Sequence, residues 1–168
     1  MKKNNSKGFT LIEMLIVIAL IAVIAGAVFV ALNPLQRFQD SRDARRWSDA
    51  ASILSAIKVS QVDNRGSYIS AITAAASNTP LMIGTAASGC NNANCTAVTA
   101  SANCVNLSEL VTKGYLGSIP VSPNENGSWD ATLTGYTLTR ASSTGAITIK
   151  ACEVGSISNN PNGISVVR

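Results

Sequence analysis

Glu13 is the residue whose position most needs a chemical explanation, because it places a carboxylate inside a long apolar segment. From Phe9 to Leu32, a stretch of 24 residues, Glu13 carries the only formal charge. A carboxylate in an apolar environment is costly unless a cation or hydrogen-bond donors compensate it. The sequence therefore predicts that some other group pairs with Glu13.

Four cysteines are the other side chains with chemical potential: Cys90, Cys95, Cys104 and Cys152. An even number of cysteines in an exported domain favours two disulfides, with three alternative pairings. A zinc site built from all four is the other interpretation, but the spacing lacks the two CxxC halves that such sites usually show. We expect two disulfides, and neither interpretation makes the cysteines catalytic.

No group of residues typical of a catalytic centre stands out in the sequence. The chain has no histidine, no nucleophile and base in a recognisable arrangement, and no glycine-rich phosphate-binding motif. Its 168 residues suffice for one compact domain and an anchor, and 46% of them are hydrophobic against 13% charged. We expect a non-enzymatic protein.

The apolar segment 9–32 has a membrane-spanning length, since as a helix it would extend roughly 36 Å against a hydrocarbon core of about 30 Å. A cleaved secretory signal has an apolar region of only about 7 to 15 residues. An uncleaved anchor is the simpler alternative, but it gives no reason for Glu13. The net charge of +4 includes three lysines before the segment, Lys2, Lys3 and Lys7, so it is weak support for a nucleic-acid partner.

The string GFTLIE from Gly8 to Glu13 follows a short leader with lysines and begins an unbroken apolar run. This arrangement resembles the prepilin signal, a class III signal peptide, of type IV pilins and type II secretion pseudopilins. The resemblance implies that residues 1–8 are a leader, that a prepilin peptidase cuts between Gly8 and Phe9, and that Phe9 is then N-methylated. The apolar helix 9–32 would be retained as a transmembrane and filament-core helix.

The same resemblance implies a partner for Glu13, namely the N-terminal amine of Phe9 in a neighbouring subunit of a filament. Residues four apart lie on the same helical face, so Glu13 could also pair with the amine of its own chain. The sequence leaves these two partners open.

Residues 33–66 are predicted as a second, amphipathic half of the long helix, with Gly66 as its C-terminal cap. Asn33-Pro34 interrupts the helix, and both a kink and a true end remain open. The predicted apolar stripe consists of Trp47, Ala50, Ala51, Leu54 and Ile57.

Three arginines of this half, Arg42, Arg45 and Arg46, could contact phosphates of DNA. Acidic residues are interleaved with them, at Asp40, Asp43 and Asp49. We therefore expect a solvated face or one with intersubunit ion pairs, including a pair between Arg45 and Asp49 across one turn.

Residues 67–168 are predicted as a globular domain. We expect a connecting loop over 67–103 with a short helix near 69–76, a second short helix capped by Asn106 and stopped by Gly114, and three strands in an antiparallel meander. The strands fall in the runs GYTLTR, AITIKACEV and ISVVR. The resulting fold class is α+β and pilin-like, with a long N-terminal helix packed on a small antiparallel sheet.

Cys152 falls in the middle strand, so we favour a bridge from Cys104 to Cys152 and a small loop closed by Cys90 and Cys95. The resemblance to pseudopilins also suggests calcium as a ligand, and one loop offers oxygen atoms that could bind it. These are Ser122, Asn124, Glu125, Asn126 and Asp130. Only two of them are carboxylates, and Asn124 replaces the aspartate that the family has after the proline. We expect no cofactor, with calcium as the weaker alternative.

The expected function is a structural subunit of a type IV pilus or pilus-like surface filament. The alternative is a pseudopilin of a type II secretion or DNA-uptake machine. The resemblance implies prepilin peptidase, inner-membrane assembly machinery and other copies of the chain as partners. It implies a single-pass inner-membrane protein before assembly and a cell-surface filament afterwards.

Overall fold

The computed structural model describes residues 8–99, 101, 104–155 and 163–168. They form two compact units, one ending at Phe38 and one from Gln39 to Arg168. The lysines of the predicted leader, and residues 156–162 between the last two predicted strands, lie outside the described residues. The architecture is α+β, with helices at the N-terminal side and a four-stranded antiparallel sheet, as predicted.

Helix α1 spans Leu11–Leu32 and ends at Asn33. Asn33 adopts the left-handed conformation, with φ of 42°, which asparagine tolerates better than most residues. Helix α2, Pro34–Asp63, begins at the next residue, and Pro34 is suited to a first helical position because its missing N–H would have no partner there. The interruption that the sequence predicted is therefore a single residue long.

The end of α2 is built as the sequence predicted. Gly66 has φ of +90°, and its N–H donates to the Gln61 carbonyl over 2.7 Å, which is the geometry of a glycine cap. The predicted apolar stripe is correct at Ala50, Leu54 and Ile57 and wrong elsewhere. The remaining buried apolar positions of the helix are Ile53 and Ala56, whereas Trp47 and Ala51 are exposed.

The sheet has the strand order β1-β2-β3-β4, and all neighbours are antiparallel. The strands are β1, Leu81–Met82; β2, Tyr136–Arg140; β3, Ile147–Ala151; and β4, Ser165–Val167. The meander of the last three strands is confirmed. Strand β1 lies in the segment predicted as a loop, because two residues are too few to show an alternating pattern.

Two short helices are present where the sequence predicted them, α3 at Ser70–Ala74 and α4 at Ser108–Thr112. The Asn106 side chain accepts a hydrogen bond from the Ser108 N–H over 2.9 Å, so it does shield the start of α4. The N-cap position itself is Leu107, one residue later than predicted.

The main core lies between α2 and the inner face of the sheet. Ile53 and Ile57 of the helix belong to the same buried cluster as Tyr136, Leu138 and Ile149 of the sheet. A second cluster contains Met82, Cys90, Cys95, Val98 and Trp129. Leu81 packs against the first cluster and Met82 belongs to the second, as expected for successive residues of a strand.

The disulfides are Cys90–Cys104 and Cys95–Cys152, so the pairing favoured from sequence is wrong although all four cysteines are bridged. Backbone hydrogen bonds explain the first bridge, since the Cys90 N–H donates to Ser101 O and the Cys104 N–H donates to Ala86 O. The two cysteine-bearing segments therefore run side by side. The second bridge, Cys95–Cys152, joins the connecting region to the end of β3.

We expect the two bridges to contribute unequally to stability. In the chain-entropy treatment, a closed loop of 57 residues stabilises by about 4 kcal/mol and one of 14 residues by about 3 kcal/mol. Urea unfolding of the purified chain should therefore show a larger loss for Cys95→Ser/Cys152→Ser than for Cys90→Ser/Cys104→Ser. Peptide mapping without reduction should give the same two pairs, and a Cys90–Cys95 peptide would contradict the structure.

Candidate functional site

The start of α1 is closed by a reciprocal capping arrangement between Thr10 and Glu13. The Thr10 N–H and its hydroxyl both donate to Glu13 Oε2, over 2.8 and 2.7 Å. The Glu13 N–H in turn donates to the Thr10 hydroxyl oxygen over 3.3 Å. This is a capping box, which satisfies N–H groups that the first turn of a helix leaves without partners.

The peptide between Gly8 and Phe9 lies immediately before this cap, outside regular structure. Phe9 is 80% exposed. A Cβ atom added at Gly8 would meet no atom within 4 Å, and the backbone there is not left-handed. Folding of this unit therefore makes no demand for glycine at position 8.

Helix α1 presents its apolar side chains on all sides without cover from its own unit. None of its residues is buried. Within the described part of the chain, one helical segment is long and apolar enough to cross a membrane by length and composition, and α1 supplies its apolar part. An apolar helix of this kind needs lipid or other apolar helices around it.

Residues 3–29 match the family model of the prokaryotic N-terminal methylation motif. The chain carries the class III signal peptide of type IV pilins and pseudopilins. The match covers the capping box and most of α1, and it ends before the unit that begins at Gln39. No curated protein and no solved structure matches the chain.

Within the methylation motif, the structure places the predicted cleavage and pairing residues Gly8, Phe9 and Glu13 at one helix start. Sequence reasoning missed Thr10, the hydrogen-bond partner of Glu13. The spacing Thr-x-x-Glu ahead of an apolar run is itself the signature of a capping box and could have identified it.

The loop considered for calcium does not have a donor set that fits the ion. Asn124 Oδ1 accepts from the Trp129 N–H over 2.8 Å, and Asp130 Oδ1 accepts from the Thr132 and Leu133 N–H groups. Bonds from the Thr132 hydroxyl and from these two N–H groups lower the pKa of Asp130 below its ordinary value. Calcium prefers oxygen ligands that are free to converge on it, whereas these oxygens are held by protein donors.

The three arginines of α2 differ in their surroundings. Arg45 is 67% exposed and lies 3.8 Å from Asp49, which confirms the predicted pair. Arg42 is partly exposed and lies 3.9 Å from Glu125. Arg46 has no exposed side-chain surface, so its assignment to a solvated or phosphate-binding face is wrong.

The capping box predicts how substitutions at Thr10 act. Thr10→Val keeps the side-chain shape but removes the hydroxyl that binds Glu13, and loss of an N-cap typically costs about 1 kcal/mol. Amide hydrogen exchange of the full chain in detergent micelles should therefore speed up about fivefold in the first turn of α1. Thr10→Ser, which restores the hydroxyl, should exchange like the wild type, and equal rates in all three proteins would contradict the cap.

Proposed function

We propose that the chain is the precursor of a structural subunit of a type IV pilus or pilus-like surface filament. The observation that carries this proposal is helix α1, an apolar helix of 22 residues with no buried side chain, inside a segment that matches the methylation motif. A helix of this kind is stable in a membrane and can leave it only when other apolar surfaces replace the lipid. Neighbouring copies of α1 in a filament core supply such surfaces.

The proposal includes processing between Gly8 and Phe9 by prepilin peptidase and N-methylation of Phe9. An exposed peptide ahead of a capped helix supports it, because a protease needs extended and accessible backbone. The absence of any steric need for glycine at position 8 supports it as well, since recognition by the peptidase then explains this residue.

Glu13 is proposed to pair with the new amine of Phe9 on a neighbouring subunit. Both hydrogen bonds from Thr10 end on Oε2, and no described residue donates to Oε1. The capping box therefore fixes the carboxylate while one oxygen stays available for a cation. The pair would set the axial register of the entering subunit, because each amine then meets one carboxylate.

Before assembly, the proposed subunit is a single-pass protein of the inner membrane with its globular unit exported. Its partners are prepilin peptidase, the inner-membrane assembly machinery and further copies of itself. We propose no enzymatic activity. The exported location is supported by the two disulfides, which persist in oxidising compartments.

Cell-surface filaments test the proposal directly. Electron microscopy of sheared surface material, with mass spectrometry of the N-terminus, should show long filaments whose subunits begin with methylated Phe9. Gly8→Val should leave the chain in the membrane, unprocessed and without filaments, while its globular unit remains folded. Processed chains that never appear in long surface filaments would assign the protein to the pseudopilins instead, and unprocessed wild-type chains would overturn the proposal.

Substitutions at Glu13 separate processing from assembly. Glu13→Ala should be cut at Gly8 as efficiently as the wild type but should yield few or no filaments, because the entering subunit loses its charge partner. Glu13→Gln is the matched variant, since its side-chain oxygen can still accept from Thr10 while the charge is lost. Immunoblots of membrane and sheared fractions measure both steps, and a normal filament yield from Glu13→Gln would refute the ion pair.

A further inference from the structure

Arg46 lies at the centre of a buried polar cluster that joins α2 to two loop segments. Its side chain is 0% exposed, and its Nη1 donates to Asp43 Oδ1 over 2.7 Å. Nε donates to Ser122 Oγ over 3.2 Å, and Nη2 donates to the Pro123 carbonyl over 3.1 Å. The guanidinium thus joins Asp43 of α2 to the first residues of the loop considered for calcium.

Two more carboxylates face the same guanidinium. Nη2 lies 3.2 Å from Glu125 Oε2 and 3.4 Å from Glu153 Oε2. With Asp43, three carboxylates therefore surround one buried cation, and Arg42 contributes a second, outer positive charge 3.9 Å from Glu125. Charges buried in this way are tolerated only when they are paired and hydrogen-bonded.

The carboxylates also accept hydrogen bonds from the backbone of the loops. Glu153 Oε1 accepts from the N–H groups of Asn126 and Gly127, and its Oε2 also accepts from the Trp129 indole. Asp43 accepts from the Gly155 N–H. A divalent cation bound in a loop of this kind would likewise be a positive charge surrounded by convergent oxygen atoms.

We infer that the guanidinium of Arg46 is the resident cation of this loop and does the work that a bound metal ion would otherwise do. The disagreement between the donor set and calcium follows from this arrangement, because Ser122 and Glu125 are already ligands of the guanidinium. The consequence is a globular unit whose folding is independent of calcium. This inference does not depend on the proposed function.

Thermal unfolding of the purified full chain tests the inference. The wild-type Tm should be the same with millimolar calcium chloride as with a chelator, and a Tm raised by calcium would overturn it. Arg46→Met, which keeps the length of the side chain but removes the charge, should lower the Tm on the order of 10 °C. Arg45→Met is the matched control, because the Arg45 side chain is 67% exposed, and it should shift the Tm little.

Measuring the Tm of Arg46→Met over a range of pH shows whether the variant is destabilised by the loss of a charge or by the loss of packing. Without the guanidinium, three carboxylates face one another with no cation between them, and acid relieves their repulsion, so the variant should regain stability as pH falls from about 7 to about 5. The groups that face the site are Asp43, Glu125 and Glu153, with Arg42 outside them and the Tyr136 phenol, which stays neutral over this range.

The Tm difference between wild type and Arg46→Met should therefore narrow at the lower pH, and a constant difference would overturn the charge argument.

Should Arg46→Met fail to fold, Arg46→Lys provides the second measurement. Lysine keeps the positive charge but lacks the planar guanidinium. The Tm of Arg46→Lys should therefore lie below that of the wild type by an amount that does not depend on pH. A wild-type Tm for Arg46→Lys would overturn the need for a guanidinium.

Discussion

None of the residues of helix α1 is buried, and this constraint shapes the rest of the molecule. Each leucine, isoleucine or valine gains about 1.5 to 3 kcal/mol from full burial, and α1 consists largely of such residues, none of them buried. A surface of that kind must always have a partner, whether lipid or protein. The one formal charge in the segment lies at its start, where Thr10 supplies the hydrogen bonds that a lone carboxylate would lack.

Because α1 adds nothing to the core, the unit from Gln39 onward must be stable through its own interactions. It has three sources of stability: the apolar contact of α2 with the sheet, two disulfides, and the buried cluster around Arg46. The last two fix loops rather than strands. Trp129 lies where they meet, since it packs with the bridged cysteines while its indole N–H binds Glu153.

Local sequence signals predicted the parts of the fold that depend on local physics. Gly66 as a cap and the Asn33-Pro34 interruption each depend on a few neighbouring residues, and each is present, whereas the apolar stripe of α2 is correct at only three of its five positions. Strand β1 and the disulfide pairing depend on partners far along the chain, so no local pattern revealed them.

Arg46 was the least predictable residue of all. An arginine between Arg45 and Trp47, one turn from several acids, has the pattern of a solvated face, and only the loops that contribute Ser122, Glu125 and Glu153 make its site buried. Thr10 is the opposite case, because its spacing from Glu13 predicts a capping box, and this signal was overlooked. The capping box at the start of α1 was thus predictable from residue spacing, whereas the buried cluster around Arg46 was not.

The two disulfides cross each other along the chain, since Cys95 lies inside the loop closed by Cys90 and Cys104 while its partner, Cys152, lies outside it. A chain exported from its N-terminal side presents Cys90 and Cys95 to an oxidase first. Joining cysteines in that order of arrival would produce the wrong bridges. From a Cys90–Cys95 bridge, the observed pairs can be reached only after thiolate attack on that misformed bond.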